Sequence, residues 1–400
     1  MSVSHTILRR ICLAIGTTII LAVVTLFSFE LICGAAWSIA RWLHPDPLRP
    51  EASSAYGGAN WVTDLYREQS MRLAAPYIYV PFTVTGVAPW HGKYFNNDEH
   101  ASGVWRRTTN PSEQCQRQQP RISVWVFGGS TIYGTGVPDS ATIPSYLSRD
   151  LNRDWQKCVE VTNFGNESFV TNQEVMLLQQ QLKHGGIPDI VIFYDGFNDS
   201  HIGMTAADPS ATHYGIEIIK ARVEGSFRGR FDFVRQLYSV RLLEAVRQLS
   251  VRARAAPIDE KMRASAARVL DNYEANHQLA NALRQTYGFK FYGFWQPMLF
   301  YGNKPLDSFE KQIQQLDNSN KRRFDPRPVA IAYKEADRRA PAASFVFLAN
   351  LFDSVSEPLY IDEAHLGPRG NELVAAAIAK CVEDHPDGNR SVDNNITRKR

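Results

Sequence analysis

Four short polar segments of this 400-residue chain carry side chains that could perform covalent chemistry. They are Gly129-Ser130-Thr131, Gly165-Asn166-Glu167-Ser168, Gly196-Phe197-Asn198-Asp199 and Asp362-Glu363-Ala364-His365. Together they supply a hydroxyl, an imidazole to take its proton, a carboxylate to orient the imidazole and several hydrogen-bond donors. This combination predicts acyl transfer from an ester.

Ser130 is the predicted nucleophile because it lies at a turn from a strand into a helix. Asp362 and His365 are three residues apart, so one turn of loop can hold both, with His365 as general base and Asp362 as its orienting partner. The oxyanion is expected to receive hydrogen bonds from the backbone N–H of Ser130, a backbone N–H near Ser168 and the side-chain amide of Asn198.

His201, three residues after Asn198, is a secondary candidate for the base, although no carboxylate at a fixed spacing orients it as Asp362 would orient His365. Each of these residues also has a purely structural interpretation. Ser130 could cap a helix, Asn198 could brace a turn and His365 could lie on the surface. The coincidence of all of them at the ends of strands favours an active site.

Strands and helices alternate in the part of the chain that carries these segments. The apolar runs RISVWVFGG, CVEVTNFG, PDIVIFYDGFND, FKFYGFWQPML and ASFVFLANLF are typical of buried strands, and helical patterns separate them. This alternation predicts an α/β fold with three layers, in which helices cover both faces of a parallel sheet of about five strands. Ligands of such sheets bind beyond the carboxyl ends of the strands, where the four polar segments fall.

The four segments resemble, in order, the sequence blocks of the SGNH or GDSL-like hydrolase superfamily. VFGGSTIYGTGVPDSATIPSYL is similar to its nucleophile block, YDGFNDS to its Gly-x-Asn-Asp block and DEAHLGPRGNELVA to its Asp-x-x-His block. The resemblance implies a flavodoxin-like fold and ester hydrolysis or acyl transfer without a metal or organic cofactor. The family usually has glycine where this chain has Ser168, so Gly165 is a second candidate for that oxyanion donor.

The N-terminus contains a long apolar segment. Residues 11–29 carry no charge, and the apolar character resumes after Glu30, which is enough to span a bilayer. Arg9 and Arg10 precede the segment and predict that the remainder of the chain lies outside the cytoplasm. We expect an uncleaved anchor, and a cleavable signal sequence is the alternative.

The organisation predicted from these patterns has four parts. Residues 1–43 form a cytoplasmic tip and transmembrane anchor, and residues 44–120 form a linker and an irregular lead-in that could contain short strands. Residues 121–385 form the hydrolase-like domain, with a helical insertion around 215–286, and residues 386–400 form a disordered tail. Cys115 and Cys158 could form a disulfide in an oxidising compartment, and unpaired thiols are the alternative.

The predicted function is that of a membrane-anchored, extracytoplasmic serine esterase. A formal net charge of +3 is too small to indicate a nucleic-acid partner. Families that resemble this chain often act on acetyl groups of cell-surface polysaccharides, so an O-acetyl ester of carbohydrate is the expected substrate. An O-acyltransferase with the same triad, a lipid or thioester hydrolase, and a non-catalytic polysaccharide-binding or assembly protein remain as alternatives.

Overall fold

The computed structural model describes residues 2–43, 48–73, 77–111, 121–155, 158–206, 208, 213–225, 234, 237–251, 260–318, 324–386 and 388. It divides into two compact units, one made of Met1–Pro47 and Gly215–Pro257 and the other of Leu48–Tyr214 and Ile258–Arg400. The predicted insertion at 215–286 is therefore split between the units. Residues 44–47, at the start of the predicted linker and lead-in at 44–120, and most of the predicted tail at 386–400 lie outside the described residues.

The described strands are β1 (Ile78–Val80), β2 (Val84–Gly86), β3 (Trp90–His91), β4 (Asn96–His100), β5 (Gly103–Arg106), β6 (Arg121–Gly128), β7 (Cys158–Asn163), β8 (Ile190–Asp195), β9 (Lys290–Trp295) and β10 (Val346–Phe347). The described α-helices are α1 (Ser2–Leu43), α2 (Val62–Leu73), α3 (Ser130–Tyr133), α4 (Ile143–Trp155), α5 (Thr171–Lys183), α6 (Phe197–Thr205), α7 (Ile216–Val223), α8 (Tyr238–Val251), α9 (Glu260–Tyr287), α10 (Ser308–Asn318), α11 (Pro326–Arg339) and α12 (Pro368–Asp384).

The larger unit is built on an eight-stranded mixed sheet in the order β10-β9-β8-β6-β7-β5-β4-β3. The five strands from β6 onward in the chain pair in parallel, in agreement with the predicted parallel sheet. Three antiparallel strands, β3 to β5, extend the sheet beyond β7. The predicted sheet was thus too small, because polar strands such as Asn96–His100 lack the apolar alternation on which the prediction depended.

Helices cover both faces of this sheet. On one face, α4 and α12 pack through Leu147, Leu151 and Ile378 against β-strand side chains such as Val126 and Ile192. On the other face, α5 contributes Val175, Leu178 and Leu182 to a cluster with Phe127 and Phe193. Side chains of successive strand residues point to opposite faces, so each central strand supplies both cores. The outcome is the three-layer α/β arrangement that the alternating pattern indicated.

The lead-in before β6 is more regular than the sequence indicated. It contains α2 and the β1–β2 hairpin in addition to the strands that join the main sheet. The buried carboxylate of Glu68, on α2, accepts hydrogen bonds from the backbone N–H groups of Lys93, Tyr94 and Phe95. This single side chain therefore ties α2 to the segment that leads into β4.

The smaller unit contains α1, α7 and α8. Residues Ile7–Ala40 of α1 form a 34-residue stretch long and apolar enough to cross a membrane. The carboxylate of Glu30 accepts hydrogen bonds from the backbone N–H of Tyr238, at 2.8 Å, and of Ser239, at 3.2 Å. These N–H groups belong to the first turn of α8, which has no intrahelical acceptor for them, so Glu30 caps that helix.

The cysteines follow the predicted pattern in part. Cys158 is disulfide-bonded, whereas Cys12, Cys33 and Cys381 are free thiols. The predicted partner of Cys158, Cys115, lies outside the described residues.

Candidate active site

Ser130 lies where β6 ends and the four-residue helix α3 begins. Its carbonyl accepts the N–H groups of Gly134 and Thr135, and its own N–H is in the first turn, where an α-helix offers no internal acceptor. Helix α3 has only four residues, so it lacks the dipole of an extended helix. An anion at this position would therefore be stabilised by the partial positive charges of individual backbone N–H groups.

A continuous chain of hydrogen bonds joins the three predicted catalytic side chains. His365 Nε2 lies 2.7 Å from the Oγ of Ser130, and His365 Nδ1 lies 2.7 Å from the Oδ2 of Asp362. The other carboxylate oxygen of Asp362 accepts the backbone N–H groups of His365, at 2.7 Å, and Ala364, at 3.0 Å. Asp362 therefore holds both the imidazole and the loop that carries it.

These contacts define the tautomer of His365. An ionised carboxylate can only accept hydrogen bonds, so the Nδ1 atom that faces Asp362 carries a proton. In the neutral ring Nε2 is then an acceptor, and the hydroxyl of Ser130 donates to it. A hydroxyl that donates to an imidazole is arranged for loss of its proton to that imidazole.

The electrostatics of the pair agree with this arrangement. Burial opposes the charge of Asp362, but the charge and hydrogen bonds of His365 and the N–H of Ala364 outweigh it and lower the pKa of Asp362 to about 2. Burial likewise opposes protonation of His365, and the carboxylate of Asp362, helped by Glu363 and Glu167, raises the pKa of His365 above its usual 6.5. The site thus favours an imidazolium that forms beside a fixed negative charge.

Asn198 lies in the first turn of α6, next to the serine turn. Its Nδ2 donates to the carbonyl of Phe169 at 2.8 Å, which leaves the second proton of the amide for another acceptor. A Cβ atom on Gly129 would lie 2.3 Å from this Nδ2, so the amide rests directly on the backbone that precedes Ser130. The structure therefore brings Asn198 to the nucleophile.

Ser168 has a positive φ of 63°, a conformation that glycine adopts without strain and serine adopts at a cost. The backbone therefore keeps the left-handed geometry of a glycine although the side chain differs. The N–H of Gly165, the second candidate, donates to the side chain of Asn163 at 2.9 Å and is not free for a substrate. Gly165 instead allows a close approach, since a Cβ there would lie 2.3 Å from the N of Tyr133.

His201 occupies a different environment. Its ring packs on Phe197, with ring centroids 5.9 Å apart, and on Phe324, with centroids 5.4 Å apart. Burial lowers the pKa of His201. The imidazole that reaches Ser130 is that of His365, and the surroundings of His201 are those of a packed aromatic cluster.

Sequence reasoning missed a polar residue at the end of β9. Gln296 follows that strand directly, is buried, and accepts a hydrogen bond from the hydroxyl of Thr131 at 3.3 Å. It thereby braces the residue beside the nucleophile. The rule that polar residues after parallel strands approach the site would have found it, had it been applied to the fourth predicted strand as well.

The lead-in also reaches the site, which the sequence did not indicate. Tyr56 donates to the carbonyl of Gly136 at 2.8 Å and hydrogen-bonds to Tyr66, and the backbone N–H of Gly136 donates to Gln69. A Cβ on Gly136 would lie 2.3 Å from Ile361, the residue before Asp362. The turn after the nucleophile therefore packs against both the loop of the base and the lead-in.

No cluster of three or more His, Cys, Asp or Glu side chains suited to a metal ion occurs among the described residues. The groups gathered around Ser130 are those of a nucleophile, a base and anion-stabilising donors. Groups of these kinds, in this order, are the ones that acyl transfer through a covalent serine ester requires.

Comparison with known proteins gives structural similarities only. No protein-family model and no curated protein matches the chain. An acetyl xylan esterase is 16% identical over 65% of this chain and 100% of its own, with a TM-score of 0.33. An acetylxylan esterase from Geobacillus stearothermophilus is 13% identical over 65% and 93%, with a TM-score of 0.34. A member of the lipolytic G-D-S-L family from Veillonella parvula is 10% identical over 65% and 97%, also with a TM-score of 0.34. These low values establish neither a shared fold nor a shared activity.

Proposed function

We propose that this chain is a membrane-anchored serine esterase that acts on acyl esters outside the cytoplasm. The observation that carries the proposal is the chain of two 2.7 Å contacts from Ser130 through His365 to Asp362. A protein that only bound its ligand would not need a hydroxyl, an imidazole and a carboxylate in this order. The uninterrupted hydrogen bonds from Ser130 to Asp362 thus favour an enzyme over a binding or assembly protein.

In the first half of the reaction, Ser130 Oγ attacks the ester carbonyl and its proton passes to His365 Nε2. The negative charge that develops on the carbonyl oxygen is stabilised by the N–H of Ser130, the N–H of Ser168 and the amide of Asn198. Asp362 stabilises the imidazolium without taking its proton. As the carbon–oxygen bond breaks, His365 gives the proton to the leaving alcohol, and the acyl group stays on Ser130.

In the second half, His365 takes a proton from water, and the hydroxide oxygen attacks the acyl-serine carbonyl. Collapse of the second tetrahedral intermediate returns the proton from His365 to Ser130 Oγ and releases the carboxylic acid. If a sugar hydroxyl takes the place of water, the same groups perform acyl transfer. The O-acyltransferase alternative therefore differs only in the acceptor.

The proposed substrate is an O-acetyl ester of a cell-surface polysaccharide. This choice follows the sequence resemblance to the SGNH superfamily, and the acetyl xylan esterases named above are compatible with it. A cavity of about 250 Å³ is lined by Asn166 and Phe169 and by further apolar side chains such as Trp105 and Leu177. Neither Ser130 nor His365 lines it, so it gives no support to the alternative of a lipid or thioester hydrolase.

The retention of α1 as an anchor is supported by its contacts with α8. Glu30 caps α8, and the ring of Tyr238 lies against Gly34. Cleavage of a signal sequence near the small residues at 33–36 would remove Glu30 and expose the first turn of α8. Placement of the larger unit outside the cytoplasm is supported by the disulfide of Cys158, because disulfides persist in oxidising compartments.

The test is release of nitrophenol from 4-nitrophenyl acetate by the full chain in detergent micelles, beside the Ser130→Ala variant. We expect turnover by the natural chain and a rate near the uncatalysed background for the variant. Equal rates for the two proteins would exclude Ser130 as the nucleophile. Addition of a sugar oligomer as acceptor, with mass spectrometry of the products, separates transfer from hydrolysis.

A further inference from the structure

The two peptide segments proposed to supply oxyanion donors are joined by a buried hydrogen-bonded pair in addition to the contact of Asn198 with Phe169. Ser168 lies three residues before Thr171, the first residue of α5, and Asn198 lies beside Asp199 in the first turn of α6. The Oδ1 of Asp199 accepts the backbone N–H of Thr171 at 3.1 Å and its hydroxyl at 2.6 Å. Asp199 thereby connects the starts of the two helices.

The hydrogen bonds between Asp199 and Thr171 satisfy backbone groups at the buried start of α5. Residue 170, the N-cap of α5, is a valine with no side-chain acceptor, so the first N–H groups of α5 need an acceptor from elsewhere. Asp199 provides it from the neighbouring helix. Thr171 is fully buried and Asp199 is 5% exposed, so water does not compete for these bonds.

A third helix reinforces the connection. The side-chain amide of Asn276, on α9, donates to the Thr171 hydroxyl at 3.1 Å and to Asn172 at 2.8 Å. The threonine hydroxyl is then both donor and acceptor and has a single preferred orientation. The Oδ1 of Asp199 and the hydroxyl of Thr171 are both satisfied in this arrangement, which favours one geometry of the network.

We propose that Asp199 and Thr171 are positioning residues that hold the amide of Asn198 in the place required for the oxyanion. Asn198 is the group through which Asp199 acts, since its amide bridges from α6 to the carbonyl of Phe169 in the Ser168 loop and rests on Gly129. Loss of the pair would allow the starts of α5 and α6 to separate and the amide to withdraw from the nucleophile. This inference rests on the proposed esterase function.

The experiment is a double-mutant cycle on 4-nitrophenyl acetate hydrolysis by the full chain in detergent, with Asp199→Ala, Asn198→Ala and the combined variant. A misplaced catalytic group can cost about 10²-fold, so we expect Asp199→Ala to lower kcat by up to about that factor with little change in KM. In the Asn198→Ala background the same substitution should lower kcat by less than about threefold, because the group it positions is already gone.

Two further variants separate positioning from general damage to the fold. Asp199→Asn keeps an oxygen that can accept both bonds of Thr171 and should restore most of kcat. Asp150→Ala removes another buried carboxylate, on α4, which pairs with Arg153. Its effect on kcat, whatever its size, should be the same with and without Asn198. If Asp199→Ala does not fold, Thr171→Val, which deletes only the hydroxyl, replaces it in the cycle.

An equal fold-loss for Asp199→Ala in both backgrounds would overturn the inference, and so would an Asp199→Asn variant as impaired as Asp199→Ala. Neither result would affect the proposed esterase function, which depends on the inactivity of Ser130→Ala. Conversely, an active Ser130→Ala variant would reject the proposed function and this inference together.

Discussion

Ser130 Oγ and His365 Nε2 are 235 positions apart in the chain and 2.7 Å apart in the structure. The contact joins the start of α3, at the end of the central strand β6, to the loop before α12. The hydroxyl at the start of α3 and the imidazole of the loop before α12 are thus held in hydrogen-bond contact. If this contact serves the proposed catalysis, removal of either side chain should abolish it, which gives the first prediction.

Substitution of the triad should remove catalysis without unfolding the protein. We expect Ser130→Ala and His365→Ala to lower kcat by about 10⁴-fold or more, and Asp362→Asn by a similar factor, because the amide no longer fixes the tautomer of the imidazole. The measurement is steady-state hydrolysis of 4-nitrophenyl acetate. His201→Ala is the matched control, and a loss comparable with that of His365→Ala would reassign the base.

The pH dependence of kcat/KM should report the ionisation of His365. The general base acts only when neutral, and Asp362 raises the pKa of His365 above 6.5. Activity should therefore be low in acid and rise with pH, with a midpoint above 6.5 in the free enzyme. Residual activity of Asp362→Asn should show a lower midpoint, because the negative charge that favours the imidazolium is gone. A midpoint that is unchanged in this variant would show that His365 is not the titrating group.

The parts of the molecule that could be predicted from sequence are those with strong local patterns. The buried runs of β6 and β8 are almost wholly apolar, and glycine and polar residues follow each, so the parallel core and two of the places where site residues cluster could be inferred. Asp362 and His365 were recognisable as a pair because their spacing fits one turn of loop. The geometry that joins them to Ser130 is tertiary and appears only in the structure.

The parts that could not be predicted depend on long-range pairing. The strand Asn96–His100 is polar and is a strand because β5 lies beside it, with Asn97 opposite Arg106. The contact of Glu30 with α8 spans 208 positions and has no local signal. Asp199 was recognisable as part of a motif, yet its partner Thr171 became evident only when the starts of α5 and α6 were seen together.

Ser168 should be replaceable by glycine but not by proline. The proposed donor is its backbone N–H, and its φ of 63° is strained for serine. Ser168→Gly should keep kcat within a few-fold and stabilise the protein by about 0.5 to 1 kcal/mol, because relief of strain is partly offset by the greater chain entropy of glycine. Ser168→Pro removes the N–H and, because proline fixes φ at about −65°, also breaks the left-handed turn, so it should lower kcat by at least about 10² to 10³-fold. Loss of activity in Ser168→Gly would instead indicate a role for the hydroxyl.

The buried carboxyl group of Glu174 should make the free energy of unfolding fall as pH rises. Burial, above all other causes, raises the pKa of Glu174 well above 4.5, and the carboxylates of Asp195 and Asp199 add to it. A raised pKa in the folded state contributes stability that is complete below the unfolded pKa and is lost as pH rises toward the folded value. Glu174→Gln cannot ionise, so its melting temperature should exceed that of the natural chain at pH 8 and approach it near pH 4.

Differential scanning calorimetry at several pH values checks this prediction. Gln179→Ala, which changes a side chain of the same helix that does not titrate, is the control and should shift the melting temperature equally at all pH values. A difference between Glu174→Gln and the natural chain that is constant with pH would mean that folding does not raise the pKa of Glu174.

The docking of α8 on α1 can be tested with two glycines of the same helix. A Cβ at Gly34 would lie 3.1 Å from the ring of Tyr238, whereas nothing lies within 4 Å of one at Gly16. Gly34→Leu should therefore force the helices apart at a cost of about 1 to 3 kcal/mol, and Gly16→Leu should not. In detergent micelles, trypsin should then cleave after Arg241, an exposed residue of α8, faster in Gly34→Leu than in Gly16→Leu or the natural chain, because undocking allows the helix to open. Equal cleavage rates in the two variants would show that α8 does not depend on α1, and would remove the structural reason for keeping the N-terminal helix in the mature protein.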